Sequence, residues 1–381
     1  MKKALTYIKD FFRRADMLLL SLCLISALFG IVVIFSATKT YDNSAKYVIV
    51  QTMALCLGIA LYVLMTIIDV DIFADKWVLL CVFNALFLLI LIPFGQESET
   101  GNSGWLRFFG IGIQPSEVVK ISYIIVMAKH ISFLKEYRDL NSFVSVAQLA
   151  VHFLAIFGLL LLTSKDLGSA LVYFFIFAVM LFAAGVRLYW FAIGFAGVAA
   201  VTPFIWTNVL QPYQKARILA PYVPSIDPTG YGFTWQANQS KIALASGQLT
   251  GTGLGNGPQT QSHAIFAKQS DFIFAPIGEE LGMIGCCIVL MLLVAIVLRC
   301  VIIGLRSKNT LSMLVCFGVA ATVLFQTFEN IGMCIGIAPV IGITLPFFSY
   351  GGSSLFSMFA AMGLVSGVRY RPKPERFKMY R

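Results

Sequence analysis

The chain has 381 residues, of which 59% are hydrophobic and 12% charged, with a mean hydropathy of +0.84. That is far more apolar material than a soluble core of this length requires, so the composition excludes an ordinary globular protein and implies a polytopic membrane protein. The net charge of +10 does not imply nucleic acid, because the basic residues gather at the chain ends and in short loops rather than among exposed aromatics. The eight cysteines (23, 56, 81, 286, 287, 300, 316 and 334) lie in apolar runs without metal-ligand spacing. They read as small buried hydrophobes, with no disulfide and no zinc site.

Residues 1–16, MKKALTYIKDFFRRAD, form a basic lead with no small-residue cleavage site, expected to remain as a cytoplasmic segment ahead of the first span. A hydrocarbon core about 30 Å thick takes about 20 helical residues. Runs of that kind predict about ten spans, at 17–37, 47–68, 77–95, 116–134, 147–163, 167–184, 188–206, 271–303, 310–335 and 352–369. The expected fold class is an all-α polytopic membrane protein, with residues 1–381 as a single integral membrane domain.

With the N-terminus inside, about 19 of the 28 Lys and Arg residues fall on the cytoplasmic side, as the positive-inside rule asks. Both termini are then cytoplasmic, and the basic tail at 370–381 suits anionic membrane lipids. Segments 96–116, 207–270 and 337–351 collect on the outer face. The large extracellular loop 207–270 is too long to be a connector, and its apolar turn KIALAS argues that it packs against something.

An ionisable residue inside a span is costly and is a functional hypothesis by default. In QPSEVVK, Glu117 and Lys120 are three apart and share a helix face, so they form either a structural ion pair or a substrate contact. Asp166, in SKDLGSAL, falls at a helix start, where the dipole favours an anion; an end cap and a functional role both fit. Glu329 lies within the ninth span with no identifiable partner. In SDFIFAPIGEELG, Asp271 opens the eighth span, either as an N-cap or as a group reachable from outside. Glu279, roughly 12 Å deeper on a continuous helix, and Glu280 are expected to bond to neighbouring helices. The stretch GIAPVIGITLPFFSYGGSSL is either a re-entrant wall or a plain Gly/Pro turn.

NIGMCIGIAPVIGITLPFFSYGGSS (330–354), SDFIFAPIGEELG, WLRFFGIGIQPSEVVK (105–120), DLGSAL and WQANQSKIALASGQLTGTGLGNG (235–257) form an ordered set. In that spacing the set resembles the SEDS family of RodA and FtsW type over nearly the whole chain. The resemblance implies a peptidoglycan glycosyltransferase polymerising lipid II into glycan strands at the outer face of the bacterial cytoplasmic membrane. It also implies a class B penicillin-binding protein as crosslinking partner.

The family's essential aspartate falls on Asp271, its fourth-span acid and base on Glu117 and Lys120, and its Asp-Leu-Gly aspartate on Asp166. The matching motifs also imply substrate-binding roles for Gln239, Ser240, Lys241, Ser349, Gly351, Gly352 and Ser353. Two stretches depart from the family: Ile265, Phe266 and Ala267 replace a Leu-Pro-Glu, and Thr234, Trp235 and Gln236 replace a Gly-Tyr-Gln. The first removes a loop glutamate and any second-acid role there. An elongation role of RodA type is slightly preferred over division or sporulation.

Transfer from a polyprenyl diphosphate sugar needs a base for the attacking 4-hydroxyl and positive charge for the departing diphosphate. Asp271 is the expected base, or alternatively orients the hydroxyl or holds a divalent cation. Arg107, Lys120, Lys165, Lys215, Arg217 and Lys241 are the outer-side candidates for the diphosphates. Direct displacement would invert the anomeric centre. Mg²⁺ or Mn²⁺ suits carboxylate and diphosphate oxygens, although no multidentate cage is evident. The rival readings are a lipid-linked precursor flippase, which needs a polar path to both faces, and a noncatalytic scaffold for a synthase.

Overall fold

Asp16 starts the first long helix by accepting the Leu19 N–H at 2.9 Å, and nine more long helices follow it in chain order. The computed structural model describes residues 11–95, 104–108, 111–208 and 210–371. The helices are α1 (Met17–Ala37), α2 (Ser44–Ile67), α3 (Trp77–Leu89, extended by Leu91–Phe94), α4 (Pro115–Tyr137) and α5 (Phe143–Ser164). The remainder are α6 (Leu167–Ala184), α7 (Leu188–Asn208), α8 (Phe274–Arg306), α9 (Thr310–Ile335) and α10 (Gly352–Tyr370).

Among the described residues, 8 helices are long and apolar enough to cross a membrane. The two that fall short, α4 and α10, stand where the fourth and tenth spans are expected. Both are largely enclosed by their neighbours, which is why they can carry polar side chains that a lipid-facing helix could not.

Local chemistry sets the boundaries. Ser142 caps α5 through the Ser145 N–H, and Asn309 caps α9 through that of Leu311. Pro115 occupies the first turn of α4, where its missing N–H costs nothing. The tight α5–α6 hairpin turns on Lys165, which takes a left-handed conformation and delivers Asp166 as the cap of α6.

Several expected edges shift by three or four residues. α2 and α5 begin earlier than 47 and 147, and α8 begins at Phe274 rather than 271. A short antiparallel hairpin, β1 (Leu106–Phe108) and β2 (Ile111–Ile113), pairs Arg107 with Gly112 ahead of α4.

α9 is the central span, with 72% of its apolar window buried against α8, α6, α4 and the helix Trp235–Ser246. That last helix contains the KIALAS turn, which therefore packs as expected. α10 lies along α2. The backbone of α1 approaches the 345–350 turn so closely that a Cβ at Gly30 would stand 2.7 Å from Phe348 Cα. In contrast, α7 has no buried residue.

Not all cysteines are core residues. Cys23, Cys300, Cys316 and Cys334 are buried, whereas Cys56 and Cys287 are exposed on apolar faces; a hydrocarbon surround accepts a thiol as readily as a core does.

At the bundle end away from Asp271, the Asp16 carboxylate takes Arg299 at 2.8 Å and Arg369 at 2.9 Å. Its own N–H donates to Ser366 Oγ at 3.0 Å, and Tyr62 donates to its carbonyl at 2.9 Å. A fully buried carboxylate is tolerable only with such compensation.

Candidate active site

α8 is broken near its start. Gly282 has φ +67° and ψ −167°, a region open essentially to glycine alone. The break frees backbone groups, and the segment following Trp235–Ser246 satisfies them. Met283 and Ile284 donate to the carbonyls of Gln248 (2.8 Å) and Leu249 (3.2 Å), while Thr252 and Gly253 donate to those of Glu279 and Glu280 (both 3.0 Å).

The Glu279 carboxylate then accepts the N–H groups of Gln259 (2.8 Å) and Thr260 (2.7 Å) and the Thr260 hydroxyl (2.6 Å). Glu280 accepts from Gln261 Nε2 at 2.8 Å and from the Ser36 hydroxyl of α1. The expectation that both glutamates fasten α8 to neighbouring helices thus holds: Glu280 bonds Ser36 of α1, and Glu279 accepts from Ser246 at the end of the helix Trp235–Ser246 at 3.2 Å. Glu279 also moors the long inter-helix segment, which no continuous helical wheel could show.

The moored segment leads to Asp271. Lys268, fully buried, donates to the carbonyls of Thr260 and Ser262; burial pulls its pKa down, against the opposing pull of Glu280 and Glu279. Tyr350 N–H donates to Gln269 O at 2.8 Å, and Ser349 Oγ donates to Ser270 O at 2.5 Å while accepting Leu345 N–H at 2.8 Å. Gln51 of α2 reaches across to bond Ser349 O (3.0 Å) and Gly351 N–H (3.1 Å). Asn330 of α9 donates to Asp271 O and Ile343 O, both at 2.7 Å.

Two non-helical strands, 268–271 and 341–351, are therefore laced to each other and to α2 and α9. GIAPVIGITLPFFSYGGSSL is a built wall rather than a plain turn.

Asp271 is not the cap of α8, whose N-cap is Ile273. Its carboxylate is half-buried and lies against the backbone of Gly342, where a Cβ would stand 3.3 Å from Oδ2. Burial pushes its pKa up to about 6; the Ser270 side chain opposes this, and the charge of Asp166 adds to it.

Asp166 sits on the other side of the same strand: a Cβ at Gly168 would lie 2.9 Å from Ile341 O and 3.3 Å from Asp166 Oδ1. Residues 341–343 thus run between the two aspartates. Asp166 is both an end cap, accepting Ser169 N–H at 3.0 Å, and part of a polar cluster with Ser169 Oγ (2.7 Å) and Gln114 Nε2 (3.1 Å).

Glu117 and Lys120 form a buried ion pair at 2.7 Å, just past Ser116, whose hydroxyl is 3.3 Å from that of Ser169. Ser353 accepts the Gln114 N–H at 3.3 Å, and Gly351 and Gly352 begin α10 beside Gln51.

The remaining expected residues divide by accessibility. Arg107, Lys165 and Lys241 are exposed, Lys215 and Arg217 are half-buried on the helix Pro212–Leu219, and Gln239 is nearly buried. Ser240 is fully buried, its hydroxyl donating to Cys334 O at 2.8 Å. It pins Trp235–Ser246 to α9, a placement that corrects a direct substrate contact. Ser349 likewise spends its hydroxyl on the frame of Asp271.

Sequence reasoning missed Gln51, Gln114, Lys268 and the role of Asn330. For Gln51 and Asn330 the available signal was a lone amide inside an apolar run. Asn330→Ala leaves two backbone carbonyls unpaired and loosens the strand carrying Asp271. It is expected to lower turnover about tenfold or more while the protein still purifies as a folded membrane protein.

Comparison with known proteins bears on the family and the fold. The family model FTSW_RODA_SPOVE, described as "Cell cycle protein", matches residues 16–373. A probable peptidoglycan glycosyltransferase FtsW of Geobacter metallireducens is 34% identical over 368 residues, covering 94% of this chain and 96% of that one. The peptidoglycan glycosyltransferase MrdB of Escherichia coli is 32% identical over 361 residues, covering 94% and 93%. A solved chain described under "Structural coordination of polymerization and crosslinking by a peptidoglycan synthase complex" superposes with a TM-score of 0.78 at 28% identity, covering 93% of this chain and 97% of that one.

Fold and relatives together define a multi-pass glycosyltransferase of the cytoplasmic membrane that works in peptidoglycan synthesis. The chain belongs to the FtsW, RodA and SpoVE family, the SEDS family.

Proposed function

We propose that this protein polymerises lipid II at the outer face of the cytoplasmic membrane, with Asp271 as the base that takes the proton from the attacking 4-hydroxyl. The observation that carries the reading is the Asp271 carboxylate itself. It is half-buried, held on a strand laced to two helices, and raised in pKa to about 6. Partial desolvation makes a carboxylate more basic while leaving it ionised at neutral pH. Attack opposite an α-linked diphosphate inverts the centre and gives a β linkage.

The departing diphosphate needs cationic partners. Arg107, Lys165, Lys215, Arg217 and Lys241 supply them from the surrounding segments, with the arginines suited to bidentate contact. Lys120 is paired with Glu117, so this pair sets the local field.

Among the described residues, no group of three or more His, Cys, Asp or Glu side chains could hold a metal ion. A Mg²⁺ or Mn²⁺ ion would therefore be shared between Asp271 and the substrate's diphosphate. The partner is a class B penicillin-binding protein that crosslinks the product, a reading supported by the similarity to a synthase complex coordinating polymerisation and crosslinking. The product serves cell elongation or division.

Purified full-length protein, with its crosslinking partner, is expected to convert lipid II into a ladder of glycan strands. Translocation of lipid II across vesicles without polymer would overturn this reading in favour of a flippase. The pH dependence has a definite sign. Asp271 is protonated below about 6, so the polymerisation rate should fall about tenfold per pH unit below that point and level off above it. A rate flat from pH 5 to pH 8 would count against Asp271 as base.

A further inference from the structure

Beside the Asp271 frame, at the same end of the bundle, lies a separate cavity of about 360 Å³ lined by Thr40, Tyr41, Asp42, Asn43, Tyr47 and His263. Five of these come from the α1–α2 turn and the first turn of α2, and one comes from the long segment before α8. None lies beside the Asp271 carboxylate, although Thr40, Tyr41 and Tyr47 touch Lys268, Gln269 and Tyr350 of its frame. The volume falls in the range of small-ligand pockets.

The lining has a chemical character. Tyr41 and His263 lie parallel, 5° apart in plane with centroids 6.3 Å apart. Tyr41 meets Tyr47 at 5.8 Å, and Tyr47 meets Tyr350 at 4.9 Å. The rest of the lining is Thr40, Asn43 and Asp42, which bring a hydroxyl, an amide and a carboxylate, and neither Lys nor Arg is among the lining residues.

The one cation touching this wall, Lys268, is committed to the carbonyls of Thr260 and Ser262, so the wall offers a phosphate a carboxylate and no cation among its own lining residues. Ring faces with negative quadrupoles attract the C–H bonds of a pyranose, while the amide and carboxylate bond its hydroxyl and N-acetyl groups. Tyr41 is also held firmly in place. Buried Lys268 sits 4.9 Å from its ring centroid, and its hydroxyl is 3.4 Å from Gln269 Oε1. The same Gln269 bonds Tyr350 through its carbonyl and precedes Asp271 by two residues.

We propose that this cavity is a saccharide subsite that holds an N-acetylated sugar ring of the growing glycan strand, away from the bond being formed. The inference rests on the reading that the Asp271 site lengthens a glycan. Retaining the strand between additions would make polymerisation processive, so loss of the subsite should shorten the product without slowing the first transfers.

The test uses full-length protein and a lipid-free tetrasaccharide of alternating N-acetylglucosamine and N-acetylmuramic acid, followed by saturation-transfer NMR. Wild type and Asp271→Asn are both expected to bind it. Tyr41→Ala should weaken binding about tenfold, and Tyr41→Phe should keep it. In the lipid II assay, His263→Ala should give shorter strands at an unchanged initial rate.

His263→Ala, an exposed change with little risk to folding, should shift binding in the same direction. Binding unaffected by Tyr41→Ala and His263→Ala overturns the subsite, as does weaker association with the crosslinking partner at unchanged strand length. Tetrasaccharide binding by a protein that makes no polymer would fault the Asp271 reading instead.

Discussion

Asp271→Asn is expected to abolish glycan polymerisation, lowering the rate by about 10²- to 10⁴-fold, the range for removing a general base, while the protein remains folded. Asparagine keeps the shape of the side chain, and the strand beneath it stays fixed by backbone contacts to Asn330 and Ser349 that do not involve the carboxylate. The stability effect has the opposite sign to the activity effect. The folded pKa is raised from 3.8 to about 6, so the ionised form is disfavoured in the fold. The carboxyl favours folding at low pH and loses that contribution as pH rises from about 4 to about 6. A neutral amide should therefore leave the thermal midpoint at pH 7 unchanged or slightly higher. Wild-type polymerisation by the variant, or a collapse in its melting temperature, would overturn the assignment.

Gly282→Ala carries the largest expected effect on stability. A Cβ there would overlap the Gly251 nitrogen and the Leu249 carbonyl, and the backbone angles exclude an L side chain in any case. The cost should be about 3 kcal/mol or more, because the four backbone bonds between α8 and residues 248–253 depend on the break. Gly185 is a useful contrast. It also has positive φ, but open space surrounds its Cβ position, so Gly185→Ala should cost only about 1 kcal/mol. Thermal unfolding in detergent, with proteolysis of the 207–270 segment as a second readout, distinguishes the two. Equal midpoints would mean that the break is not what anchors the segment.

Much of the fold could be read from hydrophobic run length alone, since a helix in lipid must satisfy its backbone internally and must be long enough to cross. Asp271 and Asp166 were legible because a carboxylate at a span boundary is costly unless used. What escaped was the part governed by backbone rather than side-chain chemistry. The Gly282 break looks in sequence like one glycine among several, and its partners at 248–253 lie in a segment with no periodicity. Gln51 and Gln114 were passed over because an amide has no charge to attract attention. Ser240 and Ser349 matched a family motif, yet their hydroxyls are turned to carbonyls of the scaffold. Residue type and spacing do not distinguish a hydroxyl aimed at substrate from one aimed at the scaffold.

The Asp16 cluster joins positions 353 residues apart. Its carboxylate starts the first span, yet one of its two guanidinium partners, Arg369, is supplied only when the last helix is nearly finished. The final helix also lies along the second, so the bundle closes as a ring whose last piece is a keystone. During synthesis the Asp16 carboxylate can meet Arg299 once α8 is made, but lacks its second guanidinium until α10 arrives. Such late closure by contacts distant in sequence slows folding. It also gives the cell a physical signature of an unfinished chain: a truncated product would expose Asp16 and Arg299 without Arg369.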